Sequence, residues 1–236
     1  MNIPTLLKRF SAALPAILAL ALAGCTAMQT AGRGEFHSPA WRPQNPDDVK
    51  VYVSEEAMAV YVMEGDRPLL VTPVSVGRAE SPTPKGNFTI YHKDADRRNR
   101  TYGMWIKGNH VVGGRSSQSP GAGYKFYGYP MAYWCEFKSA YGFHEGSVWP
   151  QPRSKGCIRV HPNVAPKFFA LVKHGTPVSI RRTQPFDATY GRDLERPQDY
   201  ADPDRPVHVL ISDEAYRTPP HPLFEDDKPA RSRQKI

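Results

Sequence analysis

Cysteine is scarce. The 236-residue chain holds three, Cys25, Cys135 and Cys157, which excludes a disulfide-stapled scaffold. No Cys-x-x-Cys or His-x-x-x-His spacing occurs. Cys135, His144, Cys157 and His161 are zinc-ligand types, but they lack the usual ligand spacing. Long apolar runs are equally rare: residues 10–22 form one, at the N-terminus, so a polytopic membrane protein is excluded. No internal repeat and no nucleic-acid-binding motif is present. Proline, in contrast, is abundant. Its 24 copies break helices and central strands, which argues against a long-helix bundle and for loop-rich β structure. With 40% hydrophobic residues the chain is too apolar to be disordered throughout, and its length suits one sizeable domain with extensions.

The N-terminal run has the layout of an export signal. Lys8 and Arg9 precede an apolar stretch too short to span a bilayer, and Leu22-Ala23-Gly24-Cys25 follows. That string resembles a bacterial lipobox, in which the cysteine thiol is lipidated and the chain is cut just before it. The alternative is an ordinary secretory signal with Cys25 in place by accident. The lipobox reading makes residues 1–24 a signal peptide and residues 25–47 a flexible, lipid-anchored linker. Loss of Lys8 and Arg9 lowers the net charge from +8 to +6. Residue Thr26 stands where an Asp would resemble an inner-membrane retention signal. The expected location is therefore the cell envelope, on the outer membrane facing the periplasm.

From about Val49 the pattern changes. Val49, Val51 and Val53 alternate with polar residues as on a half-buried strand. Residues 59–63 continue in the same way, and Glu64-Gly65-Asp66 suits a hairpin turn. Residues 71–76, 87–91 and 176–180 read as further strands, with Ser81-Pro82-Thr83-Pro84-Lys85-Gly86 as a loop. The charged run 93–100 reads as a solvated loop. Asn163 as cap, with Val164, Phe168, Leu171 and Val172 at helical spacing, predicts one helix that Gly175 ends. Beyond residue 182 the chain is Pro-rich and charged. Residues 207–211 suggest a strand, and the rest of 183–236 an irregular, loosely held extension.

The chemistry concentrates between Met131 and His161. A Cys and a His in separate segments can form a nucleophile–base pair, and the thiol ionises more readily beside His or Arg. Gly156 removes the side chain before Cys157 and permits a tight turn that aims backbone N–H groups at a developing oxyanion. Arg159, two residues on, shares a strand face with Cys157 and suits a carboxylate. Ser154 can bond the imidazole or the substrate. Separately, each residue has an ordinary structural reading: a buried thiol or a hydrogen-bonded histidine.

Together, His144 and, 13 positions later, Ser154-Lys155-Gly156-Cys157-Ile158-Arg159 closely resemble the motif of the L,D-transpeptidases with a YkuD-type catalytic domain. Lys155 stands where the family commonly has His. Ser81-Pro82-Thr83-Pro84-Lys85-Gly86-Asn87-Phe88 is similar to the family's Thr-Pro-x-Gly-x-Phe segment, and Met131-Ala132-Tyr133-Trp134 to its aromatic stretch. The resemblance covers about residues 49–181 and marks 48–182 as the catalytic domain. It implies a mainly β fold, a sandwich-like or barrel-like sheet with a short helix. It further implies an enzyme without metal or cofactor acting on peptidoglycan stem peptides. Cys157 would be the nucleophile and His144 the general acid/base. Gly156 and Ser154 would serve oxyanion and orientation, and Arg159, Tyr133 and Trp134 would bind substrate. The acyl acceptor is left open: a second stem, an envelope lipoprotein, a D-amino acid or water, the last making a hydrolase. A non-catalytic wall-binding lipoprotein is the alternative of another class. Membrane contact would be through lipid on Cys25, and nucleic acid is not an expected partner. A backbone carbonyl is a candidate to orient His144. The aromatic segment 123–130 suits either a lid over the site or a β core, and Cys135 an apolar packing role or a regulatory disulfide with Cys157.

Overall fold

The computed structural model describes residues 36–216 and 222–227, all within one compact unit, Gly32–Ile236. The expected signal segment, Cys25 and the start of the expected linker lie outside the described residues.

Alternating valines build the first hairpins. Strands β1 (Val49–Ser54), β2 (Ala59–Glu64) and β3 (Arg67–Ser75) form an antiparallel meander. Its β2–β3 turn holds Gly65 at φ 57°, the left-handed region that favours glycine. The chain continues through β4 (Gly86–Thr89), β5 (His92–Asp94), β6 (Arg98–Lys107), β7 (His110–Arg115), β8 (Lys125–Pro130), β9 (Trp134–Lys138), β10 (Tyr141–Glu145) and β11 (Ile158–Val160). Helix α1 (Ala165–Leu171), strand β12 (Pro177–Arg181) and helix α2 (Val207–Ile211) follow. Nine strands form one sheet in the order β4-β12-β1-β2-β3-β11-β10-β9-β5, and β7-β6-β8 form a second. The large sheet curls: Phe88 of β4 meets Phe137 of β9 with ring centroids 5.3 Å apart. Inside the curl lie Val51, Val53, Val60, Val62, Phe143, Ile158 and Phe168. Phe168 of α1 sits 4.5 Å from Phe143 of β10, so the helix packs behind the strand that carries His144.

Several expectations change. The run 93–100 is not a solvated loop. Lys93 pairs with Cys135 across β5–β9, and its ammonium donates to the carbonyls of Phe169 (2.7 Å) and Val172 (2.6 Å) at the helix C-terminus, where a cation is favoured. Residues 207–211 form a helix, because Pro206 leads into it and Arg98 takes up the carbonyls of Leu210 and Ser212 at its end. Asn163 does not cap α1: its amide donates to the Phe36 carbonyl, and Val164 is the cap position. From Phe36 the expected linker is packed rather than free. Ala40 bridges to Leu70, and Ser38, itself buried, donates to Thr72.

The largest difference concerns the C-terminal extension. Residues 183–195 cover the outer face of β2, where Phe186 and Leu194 pack on the cluster of Ala59, Tyr61 and Met63. Asp187 accepts hydrogen bonds from the hydroxyls of Tyr61 and Ser54, each at 2.8 Å. Gln184 donates to the carbonyls of Val53 and Ser179. Strand β2 is therefore buried on both faces, and that accounts for its unbroken apolar run.

Candidate active site

Strands β10 and β11 run parallel, with Phe143 opposite Ile158 and His144 opposite Arg159. Parallel neighbours cannot be joined by a tight turn; they need a crossover of about a dozen residues. Residues 146–157 supply it, which is the physical reason for the 13-position gap between His144 and Cys157. The crossover is tied down shortly before Cys157: Ser154 bridges Gly77, and the N–H of Arg153 and of Ser154 donate to the Val76 carbonyl. Side chains two apart on a strand share a face, as do paired residues on adjacent strands. His144 and Arg159 thus project to one side, and Cys157 sits in the turn that enters β11, two residues before Arg159. All three line a single cleft of about 1040 Å³.

The imidazole is fixed by a backbone carbonyl. His144 Nδ1 lies 2.7 Å from the carbonyl oxygen of Glu145, which places the proton on Nδ1 and leaves Nε2 as the acceptor. Trp134 stands beside the ring with centroids 6.1 Å apart. Its indole N–H donates to Glu136 at 3.1 Å, and Arg97 lies 4.5 Å over its face. Burial, helped by the charge of Arg159 and opposed by the Glu145 hydrogen bond, lowers the His144 pKa to about 4, so the ring is neutral at neutral pH.

The sulfur of Cys157 lies 3.7 Å from the carbonyl of Ala140, within reach for a thiol donor. Burial raises its pKa above the ordinary thiol value, against the pull of the Gly142 N–H and of Arg159 and Arg97. The resting pair is therefore thiol and imidazole rather than thiolate and imidazolium. Ala140 holds a φ of 65°, uncommon for a residue with a side chain, and this aims its carbonyl at the sulfur.

The other expected site residues divide. Arg159 lies in the cleft as expected. Ser154 borders the cleft but is buried, and its hydroxyl does not bond the imidazole. Its hydroxyl donates to the Cys157 carbonyl at 2.5 Å and accepts the Gly156 N–H at 3.0 Å, closing the turn that presents the cysteine. With its N–H engaged, Gly156 is not the expected oxyanion donor. It is needed for shape: at φ 107° its Cα faces the Tyr141 ring so closely that an added Cβ would sit 2.5 Å from Cε1. Trp134 borders the cleft as a wall behind His144 and is almost wholly buried. Tyr133 does not reach the cleft. Its left-handed backbone, φ 58°, turns the ring into the core against Phe169. The four zinc-type residues do not converge: His161 pairs with Asp199 at 3.0 Å, and Cys135 is buried in the core, its pKa pushed up to about 12 by burial. Both Cys135 and Cys157 are free thiols.

Much of the cleft comes from segments outside the Cys–His motif. The second sheet forms one wall through Asn99, Tyr102, Arg115 and Tyr129. Tyr129 and Pro130 thus give the aromatic segment 123–130 a place in the wall, while Phe126 packs on Trp105 within its own sheet. The C-terminal extension forms another part through Asp204, Arg205 and Leu210. Arg205 binds Glu145 at 3.1 Å, and Trp149 of the crossover packs on Tyr200.

Residues 47–180, more than half of the chain, match the family model of the L,D-transpeptidase catalytic domain, YkuD. The chain belongs to the L,D-transpeptidase catalytic-domain family. A curated relative, the L,D-transpeptidase YkuD of Bacillus licheniformis, is 27% identical over 143 residues, 58% of this chain and 69% of its own. Among solved structures, an L,D-transpeptidase from Stackebrandtia nassauensis is 18% identical with a TM-score of 0.44, over 62% of this chain and 60% of that one. One from Mycobacterium smegmatis is 20% identical with a TM-score of 0.43, over 57% and 58%. The family match ends before α2, so the segment carrying Asp204 and Arg205 belongs to this L,D-transpeptidase domain's surroundings rather than to the matched region.

Proposed function

We propose that this family member is a cysteine-dependent acyltransferase acting on peptidoglycan stem peptides. The observation that carries the reading is that His144 and Arg159 are cross-strand partners on two parallel strands, and Cys157, in the turn just before the second strand, lines the same cleft. As the Cys157 sulfur attacks the carbonyl before the terminal D-Ala of a tetrapeptide donor, Nε2 of His144 takes its proton. The S–C bond forms, the peptide C–N bond breaks, and the same proton passes to the departing amine. A thioester remains on Cys157. An acceptor amine then attacks it, gives a proton to His144, and restores the thiol. The backbone N–H of Cys157 is the donor we assign to the oxyanion. One such bond is worth about 10²–10³ in rate. Arg159 holds a substrate carboxylate. The acceptor is a second stem, giving a 3→3 crosslink, or an envelope lipoprotein or D-amino acid.

The same reading places the protein in the cell envelope, held through lipid on Cys25 and facing the wall. It is supported by the Leu22-Ala23-Gly24-Cys25 string and by the location of the substrate. Loss of incorporated lipid in Cys25→Ala tests it. The enzymatic proposal is tested by incubating full-length protein with purified disaccharide tetrapeptides and separating the products. Crosslinked dimers support transfer to an amine, whereas trimmed stems alone would make the protein a hydrolase. Wild-type protein should form a carbapenem adduct that Cys157→Ala does not, and full adduct formation by the variant would remove Cys157 from the nucleophile's role.

A further inference from the structure

The cleft is far more cationic than the chain around it. Seven arginines and Lys155 line it against two acids, Glu145 and Asp204. Glu145 is already held by Arg205. Among the described residues, Arg100, Arg115, Arg153, Lys155 and Arg159 take part in no ion pair. Gathering like charges in this way is self-repulsive, and an anionic ligand would relieve it.

Three of these cations are held by aromatic faces instead of carboxylates. Lys155 lies 3.3 Å over the Tyr102 ring, Arg115 lies 5.3 Å from the same ring, and Arg153 lies 3.9 Å over Trp149. A ring face steadies a cation without neutralising it and leaves N–H donors for a ligand. Tyr102 belongs to β6 of the second sheet, while Lys155 stands two residues before Cys157. The steadied cations therefore span the cleft from its far wall to the nucleophile's own turn. Arg159, most of its surface covered, continues the series on the strand beside His144.

We propose that this site requires a donor bearing free carboxylates in addition to the one at its scissile end, and discriminates against stems in which those groups are amidated. The inference rests on the peptidoglycan reading above and names the charge state of the stem that reading leaves open. A carboxylate set between two arginine forks gains charge-assisted, often bidentate bonds. The neutral carboxamide offers a weaker acceptor and adds donors that face other donors.

The test uses full-length protein and two probes. One is a disaccharide tetrapeptide with free carboxylates at its second and third residues, and the other is the same compound with both as carboxamides. Thioester formation is followed by intact-protein mass spectrometry. The expected result is acylation slower by about tenfold for each carboxylate masked. The advantage of the free acid should shrink as salt shortens the screening length from about 10 Å at 0.1 M to about 3 Å at 1 M. In the double variant Arg100→Gln/Arg115→Gln, both residues exposed, the gap between the probes should narrow. Equal rates, or a faster carboxamide, would overturn the carboxylate requirement while leaving the peptidoglycan reading intact. Failure of both probes to acylate Cys157 would overturn the two together.

Discussion

Arg205 donates to the Glu145 carboxylate at 3.1 Å, and the backbone carbonyl of that same Glu145 fixes the His144 imidazole at 2.7 Å. A residue outside the matched region thus grips the residue that orients the proposed base. Arg205 also donates to the Ala215 carbonyl, so its head group is held from two sides. Arg205→Ala should lower the acylation rate by about tenfold with little change in KM, since small displacements of a reacting group cost rate more than binding. Arg205→Lys should recover only part of the loss, because one ammonium cannot serve both acceptors with the guanidinium's geometry. Pre-steady-state acylation with a carbapenem reads both variants.

The pH dependence follows from His144. Its pKa is held down to about 4, so the neutral base persists well below the ordinary histidine range and is lost only as pH falls through about 4. The acid limb of kcat/KM should therefore lie near pH 4 rather than near 6.5. On the alkaline side the raised Cys157 thiol keeps its proton through neutrality, so no early deprotonation step should appear there. An acid limb near 6.5 in a pH–rate profile would contradict this arrangement.

Gly156 has no room for a side chain. With φ at 107° and a Cβ that would meet the Tyr141 ring at 2.5 Å, Gly156→Ala must shift the turn that Ser154 closes. The variant should lose at least about 1 kcal/mol of stability. Because that turn carries Cys157, it should also lose most of its thioester formation. The double variant Gly156→Ala/Tyr141→Ala should regain more stability than activity, as it removes the clash but not the backbone strain. Denaturant unfolding together with adduct mass spectrometry separates the two effects.

Asp187 anchors the extension. Asp187→Ala leaves the buried Tyr61 hydroxyl without its acceptor and strips a second bond from Ser54, for an expected cost of about 2–4 kcal/mol. Tyr61→Phe alone should cost about 1 kcal/mol, and adding it to Asp187→Ala should be nearly neutral, since both partners of that bond are then gone. Urea titration of the three variants completes the cycle.

The parts legible in the sequence are those governed by local pattern. Alternating valines at 49–53 set β1, and apolar spacing from Val164 to Leu171 set α1. The His144–Cys157 motif marked two separate segments as one site, and the parallel pairing of β10 with β11 brings those segments side by side. What stayed hidden depends on long-range partners. Residues 183–216 have no period, and they are held by Gln184, Asp187, Arg98 and Arg205 reaching backbone and carboxylate groups far away in sequence. The signal for such a cover lay elsewhere, in the unbroken apolar run 59–63: a strand greasy on both faces needs something outside it. Tyr133 came to the site by resemblance alone, and nothing in its neighbours announces the left-handed backbone that turns its ring inward. Ser154 and Gly156 were placed at the right turn, but their hydrogen bonds to each other and to the Cys157 carbonyl depend on how that turn closes.

The two-sided burial of β2 has a practical corollary for anyone preparing a minimal fragment. Cutting at the end of the recognisable family segment would bare Tyr61 and Met63 to solvent and take Asp204, Arg205 and Leu210 from the rim of the cleft. Such a piece would be sticky along one sheet and open on one side of its reaction chamber, so a poor yield or a sluggish preparation would reflect where the scissors fell rather than the competence of Cys157.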